Sequence, residues 1–295
     1  MNKLDDKKIS EALVEVNNTL HDCLSELTKA DLDKIRSNYQ FKNMSKLRKA
    51  ELVNELELLI PVHLERIIKK MDHSIYQVIK RMIENGGFIE LNKADLVQIY
   101  ILQSFSIAFT KGSGEELFLH MPSEIMETLA KIDNEQLEDV VKRNTKWVQL
   151  TQGMLYYYGF IERKSAYHMV SKLTKEEIDY DEYLEVLYFA SDYYEEFNYN
   201  ASGFTDIRVL NLEELQKEQL KRADIDYYPF TYEQLIEASQ PYFIERTPQV
   251  EQFRRYLTKN YHLSQEVMEE IELSAIIITN NEIRPIALFD YLKKY

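Results

Sequence analysis

Seven cations crowd one short stretch of this chain: Lys29, Lys34, Arg36, Lys42, Lys46, Arg48 and Lys49. Only Asp31 and Asp33 oppose them there, so the local charge is +5. The whole chain carries −14, which leaves −19 for the remainder. Ammonium and guanidinium groups at this density suit phosphate chemistry. They would displace counterions from a nucleic-acid backbone, giving salt-dependent binding that positions the backbone without reading bases. These seven are therefore the candidate nucleic-acid-binding residues, with DNA or RNA as the partner they would hold. The competing account is a solvated helix face. The acidic remainder would repel phosphates, so any such binding must be local.

Little else in the chain points to chemistry. The six histidines (21, 63, 73, 120, 168 and 262) fall at no metal-ligating spacing, and each reads as a surface or seam residue. Lys111-Gly112-Ser113-Gly114 is too short for a dinucleotide loop and lacks a phosphate-binding Lys-Ser/Thr, so it reads as a plain turn. The pairs Glu195-Glu196, Glu213-Glu214 and Glu269-Glu270 read as solvated helix faces. Cys23 is the single cysteine, which removes any internal disulfide and any cysteine-rich zinc site. It falls beside Leu20 and Leu24 on an apolar stripe, so packing is favoured over nucleophilic work. No nucleophile elbow, P-loop or kinase signature is present. The expectation is a protein with no catalytic residues, no metal and no cofactor.

The elements that would carry these residues are mostly helices. Seven Gly and six Pro in 295 residues leave few tight turns, which disfavours a many-stranded barrel or sandwich. Ile9, Leu13, Val16, Leu20 and Leu24 form a helical stripe. Thr28, with Asp31 three residues on, opens a short helix to about residue 37. Ser45 is expected to cap a helix running to residue 59, with Pro61 stopping it or starting the next. Further apolar stripes follow to Gly86-Gly87, which end a helix in the manner of a C-cap. The heptapeptide at 26–32 is echoed at 90–96, a likeness that common helix-start grammar accounts for better than the alternative, a duplicated helical unit. Two apolar runs, 106–110 and 116–120, flank a Gly-rich turn and predict a β-hairpin. Beyond it the chain reads as helical, with 21 tyrosines in the whole sequence, clustered at 156–158 and 188–199. Those rings could stack on bases, but in acidic surroundings a tyrosine-lined core or protein interface is the better reading.

The expected fold class is thus mainly α: helical modules, one short β-hairpin in a winged-helix-like segment, and a helical C-terminal body. The expected divisions are 1–60, a small basic module; 61–122, the winged-helix-like segment; and 123–295, a Tyr-rich all-helical body. Residues 1–10 lack the apolar core of a secretory leader, and no run reaches the roughly 18 apolar residues of a membrane span. A cytoplasmic location without membrane partners is expected.

Residues 27–56 resemble the N-terminal module of the transcription termination factor Rho, a relative in style of the SAP module. The resemblance is carried by Leu27-Thr28, Leu32, Ile35, Phe41, Ser45, Leu47, Arg48-Lys49, Glu51-Leu52 and Leu56. It implies two short helices whose basic connection meets nucleic-acid backbones. The glycine usual between those helices is missing, and no RNA-binding barrel or ATPase motif follows. A longer stretch is similar to a loosely defined group of Firmicute proteins that join such a module to an all-helical body. Leu155-Tyr156-Tyr157-Tyr158-Gly159, Asp181-Glu182-Tyr183-Leu184, Arg222-Ala223-Asp224 and Phe230-Thr231 carry that likeness. The Cys-rich tail of some of its members is absent. The expected function is a non-enzymatic nucleic-acid-associated protein, regulatory in role. The alternative is an acidic protein–protein adaptor or inhibitor, DNA-mimicking as a special case, acting through the C-terminal body.

Overall fold

A computed structural model describes residues 19–91, 95–113, 116–284 and 286–293 of the protein. The chain divides into two compact units, Met1–Thr145 and Lys146–Tyr295. Both are mainly helical and each carries one small antiparallel sheet.

In the first unit, α1 (Leu20–Glu26) is the described part of the stripe expected from residue 9; its earlier residues lie outside the described ones. Thr28 caps α2 (Lys29–Asn38) as expected. Its side chain accepts from the Asp31 amide, and the Asp31 carboxylate accepts from the Thr28 amide, both at 3.2 Å. The next helix departs from expectation. Ser45 lies in a turn, and α3 (Lys49–Ile68) begins after Arg48, whose amide donates to Glu51 at 2.7 Å. It then runs unbroken through Pro61. A proline inside a helix costs about 3 kcal/mol. Leu52, Leu56, Ile60, Leu64 and Ile67 recur on one buried face across the proline. Burying each side chain contributes roughly 1.5–3 kcal/mol, so continuity of the face outweighs the missing N–H.

That face makes α3 the central helix of the unit, packed against α1, α2 and α6 (Ser123–Ile132). α4 (His73–Glu84) follows, its N-terminus capped by Asp72. β1 (Phe88–Glu90), α5 (Leu96–Ser104), β2 (Phe109–Ser113) and β3 (Glu116–His120) complete the unit's order before α6. The expected hairpin is present, pairing Phe109 with His120 and Lys111 with Phe118. It is not isolated: β1 adds to β3, giving the sheet order β1-β3-β2. The second copy of the heptapeptide echo includes residues outside the described ones.

α7 (Glu135–Tyr158) carries the chain from the first unit into the second. The second unit corrects the expectation of an all-helical body. The stretch after Gly159 and the expected loop before Thr205 are strands: β4 (Phe160–Glu162), β5 (Phe197–Tyr199) and β6 (Gly203–Asp206), ordered β4-β6-β5. Two three-stranded sheets thus stand where a single hairpin was expected. Strands of three or four residues are too short to show alternation in a sequence. α8 (Arg163–Thr174) and α9 (Tyr180–Tyr194) pack on this sheet and on each other. Thr174 does not open a helix, as its spacing from Glu177 suggested. It ends α8, its hydroxyl donating to the Val170 carbonyl at 3.0 Å, and Asp179 caps α9 instead.

The tyrosines do line a core. Tyr183 is buried against Trp147, its hydroxyl 2.8 Å from that of Thr151, and Tyr157 stacks on Phe230 with ring centroids 3.8 Å apart. The remaining helices are α10 (Leu212–Leu220), α11 (Tyr232–Ala238), α12 (Pro248–Asn260), α13 (Gln265–Asn280) and α14 (Ile286–Leu292). Thr231, Thr247 and Ser264 cap α11, α12 and α13 as their spacing predicts.

Candidate functional site

The seven basic candidates do not share one chemical state. On α2, Asp33 takes Lys29 at 3.0 Å and Arg36 at 3.2 Å, so two of the cations are already ion-paired within their own helix. Those contacts hold the Asp33 carboxyl below its usual range, the hydrogen bond from Lys29 contributing most. Arg36 also donates to the Phe41 carbonyl at 3.2 Å, tying the end of α2 to the following turn. Lys49, first residue of α3, reaches back to the Ser25 carbonyl at 2.7 Å and bridges to the end of α1. These three act as local fasteners. Lys34, Lys42, Lys46 and Arg48 are exposed and form no ion pair among the described residues. Lys34 lies on α2, Lys42 and Lys46 in the connection, and Arg48 at the cap of α3. What the segment offers outward is four separate cations beside the carboxylates of its own helices.

A different surface of the same region is more unusual. On α3, Leu58 is 68% exposed and Val62 74%, one turn apart. Residues four apart lie on the same helix face. The 3.6-residue repeat puts Leu56, Ile60 and Leu64 in the core, so it must turn positions 58 and 62 outward. Asn54, Glu55, Glu65 and Arg66 are the exposed residues around this pair. Arg66 also donates to the Tyr39 carbonyl at 2.9 Å, which helps fix α3 against the end of α2. The outcome is two neighbouring apolar side chains with a polar border on the outward face of α3. Charge density drew sequence reading to the basic segment instead. The signal for this pair was two branched apolar residues out of phase with the core stripe.

Among the described residues, no group of three or more His, Cys, Asp or Glu could hold a metal ion, and no helix is long and apolar enough to cross a membrane. His120, expected at the surface or at a seam, is at a seam. It is fully buried on β3 between the rings of Phe88 and Phe109.

Residues 1–90 match the family model of the FliG C-terminal domain, covering α1 to β1 of the first unit and 90 of the 295 residues. The match includes the whole basic segment, and it overturns the resemblance to the Rho N-terminal and SAP-like modules. With that resemblance goes the expectation of DNA or RNA as partner, because the FliG C-terminal domain is a protein–protein interaction domain of the flagellar motor switch. The physical reason for the misreading is that a capped pair of short helices with lysines at the cap is common to many helical modules. It records helix grammar rather than a ligand. The family's domain is a non-catalytic interaction module, in agreement with the expectation of a non-enzymatic protein. No curated protein and no solved structure matches the chain.

Proposed function

We propose that this is a non-enzymatic, acidic interaction protein whose N-terminal region docks on a protein partner through the outward face of α3. The single observation that carries this reading is the match of residues 1–90 to a protein-interaction domain. The exposed pair Leu58 and Val62 supports the choice of face within it. FliG C-terminal domains make protein–protein contacts within the flagellar motor complex, so a protein of a rotary motor assembly is the first partner to try. The order α4, β1, α5, β2, β3, with β3 central in its sheet, supports a winged-helix-like reading of the segment beside this face. Fold alone does not decide what such a segment binds.

The test is site-specific photocrosslinking in the native cell. A crosslinking amino acid at position 58 or 62 should give one discrete protein adduct, and the same probe at exposed Ser37 should not. Leu58→Glu with Val62→Glu should abolish recovery of that partner while leaving the unfolding midpoint in place. Absence of an adduct at both positions overturns the reading. So does a gel shift of duplex or single strands that weakens with salt and disappears in the Lys46→Glu, Arg48→Glu, Lys49→Glu variant.

A further inference from the structure

α10 buries none of its nine residues. A helix that short is marginal in water and owes its persistence to tertiary contacts. Two contacts fasten α10 to the start of β4. Gln219 Nε2 donates to the carbonyls of Tyr158 and Phe160, each at 3.0 Å. Leu215 sits so close to Gly159, itself at φ +70°, that a Cβ there would lie 2.8 Å from Leu215 Cδ2. Glu213, Glu214, Lys217 and Leu220 form the exposed side of α10.

The space beside α10 is a groove of about 1060 Å³ within the second unit. Tyr156, Tyr158 and Phe160 contribute aromatic surface, and Ile276 and Ile277 of α13 line it as well. Asn281, just past α13, fixes this side: its Oδ1 accepts from the Leu210 amide and its Nδ2 donates to the Arg208 carbonyl, both at 2.9 Å. Leu220 and Ile225 stand at the lip, 76% and 72% exposed. The volume is at the upper limit of small-molecule pockets, roughly 300–1,000 Å³, and its border is exposed. A segment of polypeptide suits it better than a compact ligand.

Charge states which kind of segment. Glu162, Glu214, Asp226 and Glu282 line the groove, are exposed, and form no ion pair among the described residues. The two arginines in the lining are already used. Arg208 pairs with buried Asp206 at 2.5 Å and lies over the Tyr156 ring at 4.7 Å; Arg222 pairs with Glu218 at 3.6 Å. The groove therefore presents apolar surface bordered by exposed carboxylates that stand outside ion pairs, with Lys221 just past α10 acting on Glu214. Its complement is an amphipathic helix with large apolar side chains on one face and Lys or Arg beside them, bound by apolar anchors and oriented by its charges.

We propose that this groove is a docking site for a basic amphipathic helix of a partner protein, with α10 as the wall that the bound helix covers. The site is independent of the α3 face and would give the protein a second point of attachment.

The probe is a labelled synthetic peptide with leucine at i, i+3, i+4 and i+7 and lysine elsewhere, titrated by anisotropy with the full chain. Saturable binding that weakens with salt is expected. A peptide of the same pattern with glutamate in place of lysine should not bind. Glu162→Lys, Glu214→Lys and Asp226→Lys together should weaken the lysine peptide by about tenfold or more. A control of equal charge change on another surface, Glu177→Lys, Asp181→Lys and Glu233→Lys, should weaken it by about twofold or less. Leu220→Asp should weaken binding without moving the far-ultraviolet circular dichroism. Equal losses in the two triple variants would reduce the effect to bulk attraction by an acidic chain and overturn the proposal, as would no saturable binding at low salt. Leu58→Glu should leave the peptide affinity unchanged, so this site stands or falls separately from the α3 face.

Discussion

Cys23 Sγ lies 3.7 Å from Nε2 of His120, and the two side chains are 2% and 0% exposed. A thiol beside an imidazole is the arrangement that activates nucleophilic cysteines, yet energetics decide against it here. Burial pushes the thiol up to about 11 against the opposing pull of Lys111. Burial, reinforced by Lys111, pushes the imidazole down to about 4. Both groups are neutral at pH 7. Thiol-specific reagents at neutral pH should therefore leave native protein untouched and modify Cys23 only once denaturant unfolds it. Stoichiometric labelling of the native chain would show that the core opens far more readily than this packing allows.

The same pair sets a pH dependence. His120 titrates lower in the folded chain than in the unfolded one, so the unfolded state binds more protons between the ordinary histidine value of 6.5 and about 4. Its contribution is fully present above about pH 6.5 and is lost as pH falls through that window, by an amount on the order of 2–3 kcal/mol. His120→Phe would fill the slot between Phe88 and Phe109, whose ring centroids lie 5.8 and 5.9 Å from the imidazole. Denaturant midpoints from pH 7 to pH 4 should fall more steeply in the natural protein than in that variant. Parallel slopes would mean that His120 is already accessible to protons in the fold.

A third expectation concerns Asn144, a buried polar side chain on α7. Its Nδ2 donates to the carbonyls of Lys69 and Met71, both at 2.8 Å, where the chain leaves α3. Thr145 next to it accepts from the His73 amide at 2.9 Å, so two adjacent residues fasten the α3–α4 turn. Asn144→Leu keeps the branched shape, though not the volume, and leaves both carbonyls short of a donor. A loss of about 2–4 kcal/mol should follow, read from chemical unfolding. Asn144→Asp should be at least as costly, since an acceptor would then face two acceptors.

Helix starts were the most legible feature of this sequence, because a cap is a local contract between residues three apart. Thr28 with Asp31, and Thr231 with Gln234, form the boxes that their spacing announces. Pro61 and Ser45 misled for the converse reason. Both are local signals overruled by the long-range burial of the α3 face, which no local window contains. The β4-β6-β5 sheet was illegible because its strands β4 and β6 pair across more than 40 residues and are too short for alternation to register. Asn144 was within reach. It stands three residues after Val141 and four before Val148, on the buried stripe of α7, where a lone amide signals a polar fastener. The exposed pair Leu58 and Val62 was hidden by a stronger distraction. Charge density marks what a surface could attract, and Asp33 shows that two of those cations were already taken.

The last prediction turns on a glycine that ordinary helix rules would replace. Gly153 lies inside α7, where alanine is preferred by about 1 kcal/mol. Its missing Cβ is what lets α11 approach: a Cβ on Gly153 would sit 2.1 Å from the Leu235 carbonyl oxygen and 2.7 Å from Leu235 Cα. The obstruction is backbone, which cannot swing aside as a side-chain tip can, so α11 must move or α7 must bend. Overpacking of this kind costs about 1–3 kcal/mol or more, enough to reverse the propensity gain. Gly86 gives the contrast, with φ at +68° and nothing within 4 Å of where a Cβ would stand, so alanine there meets only left-handed backbone strain. Gly153→Ala should lower the melting temperature further than Gly86→Ala and reduce the near-ultraviolet signal of the tyrosine core. A Gly153→Ala protein as stable as its parent would mean that α7 and α11 do not approach as closely as the backbone geometry requires.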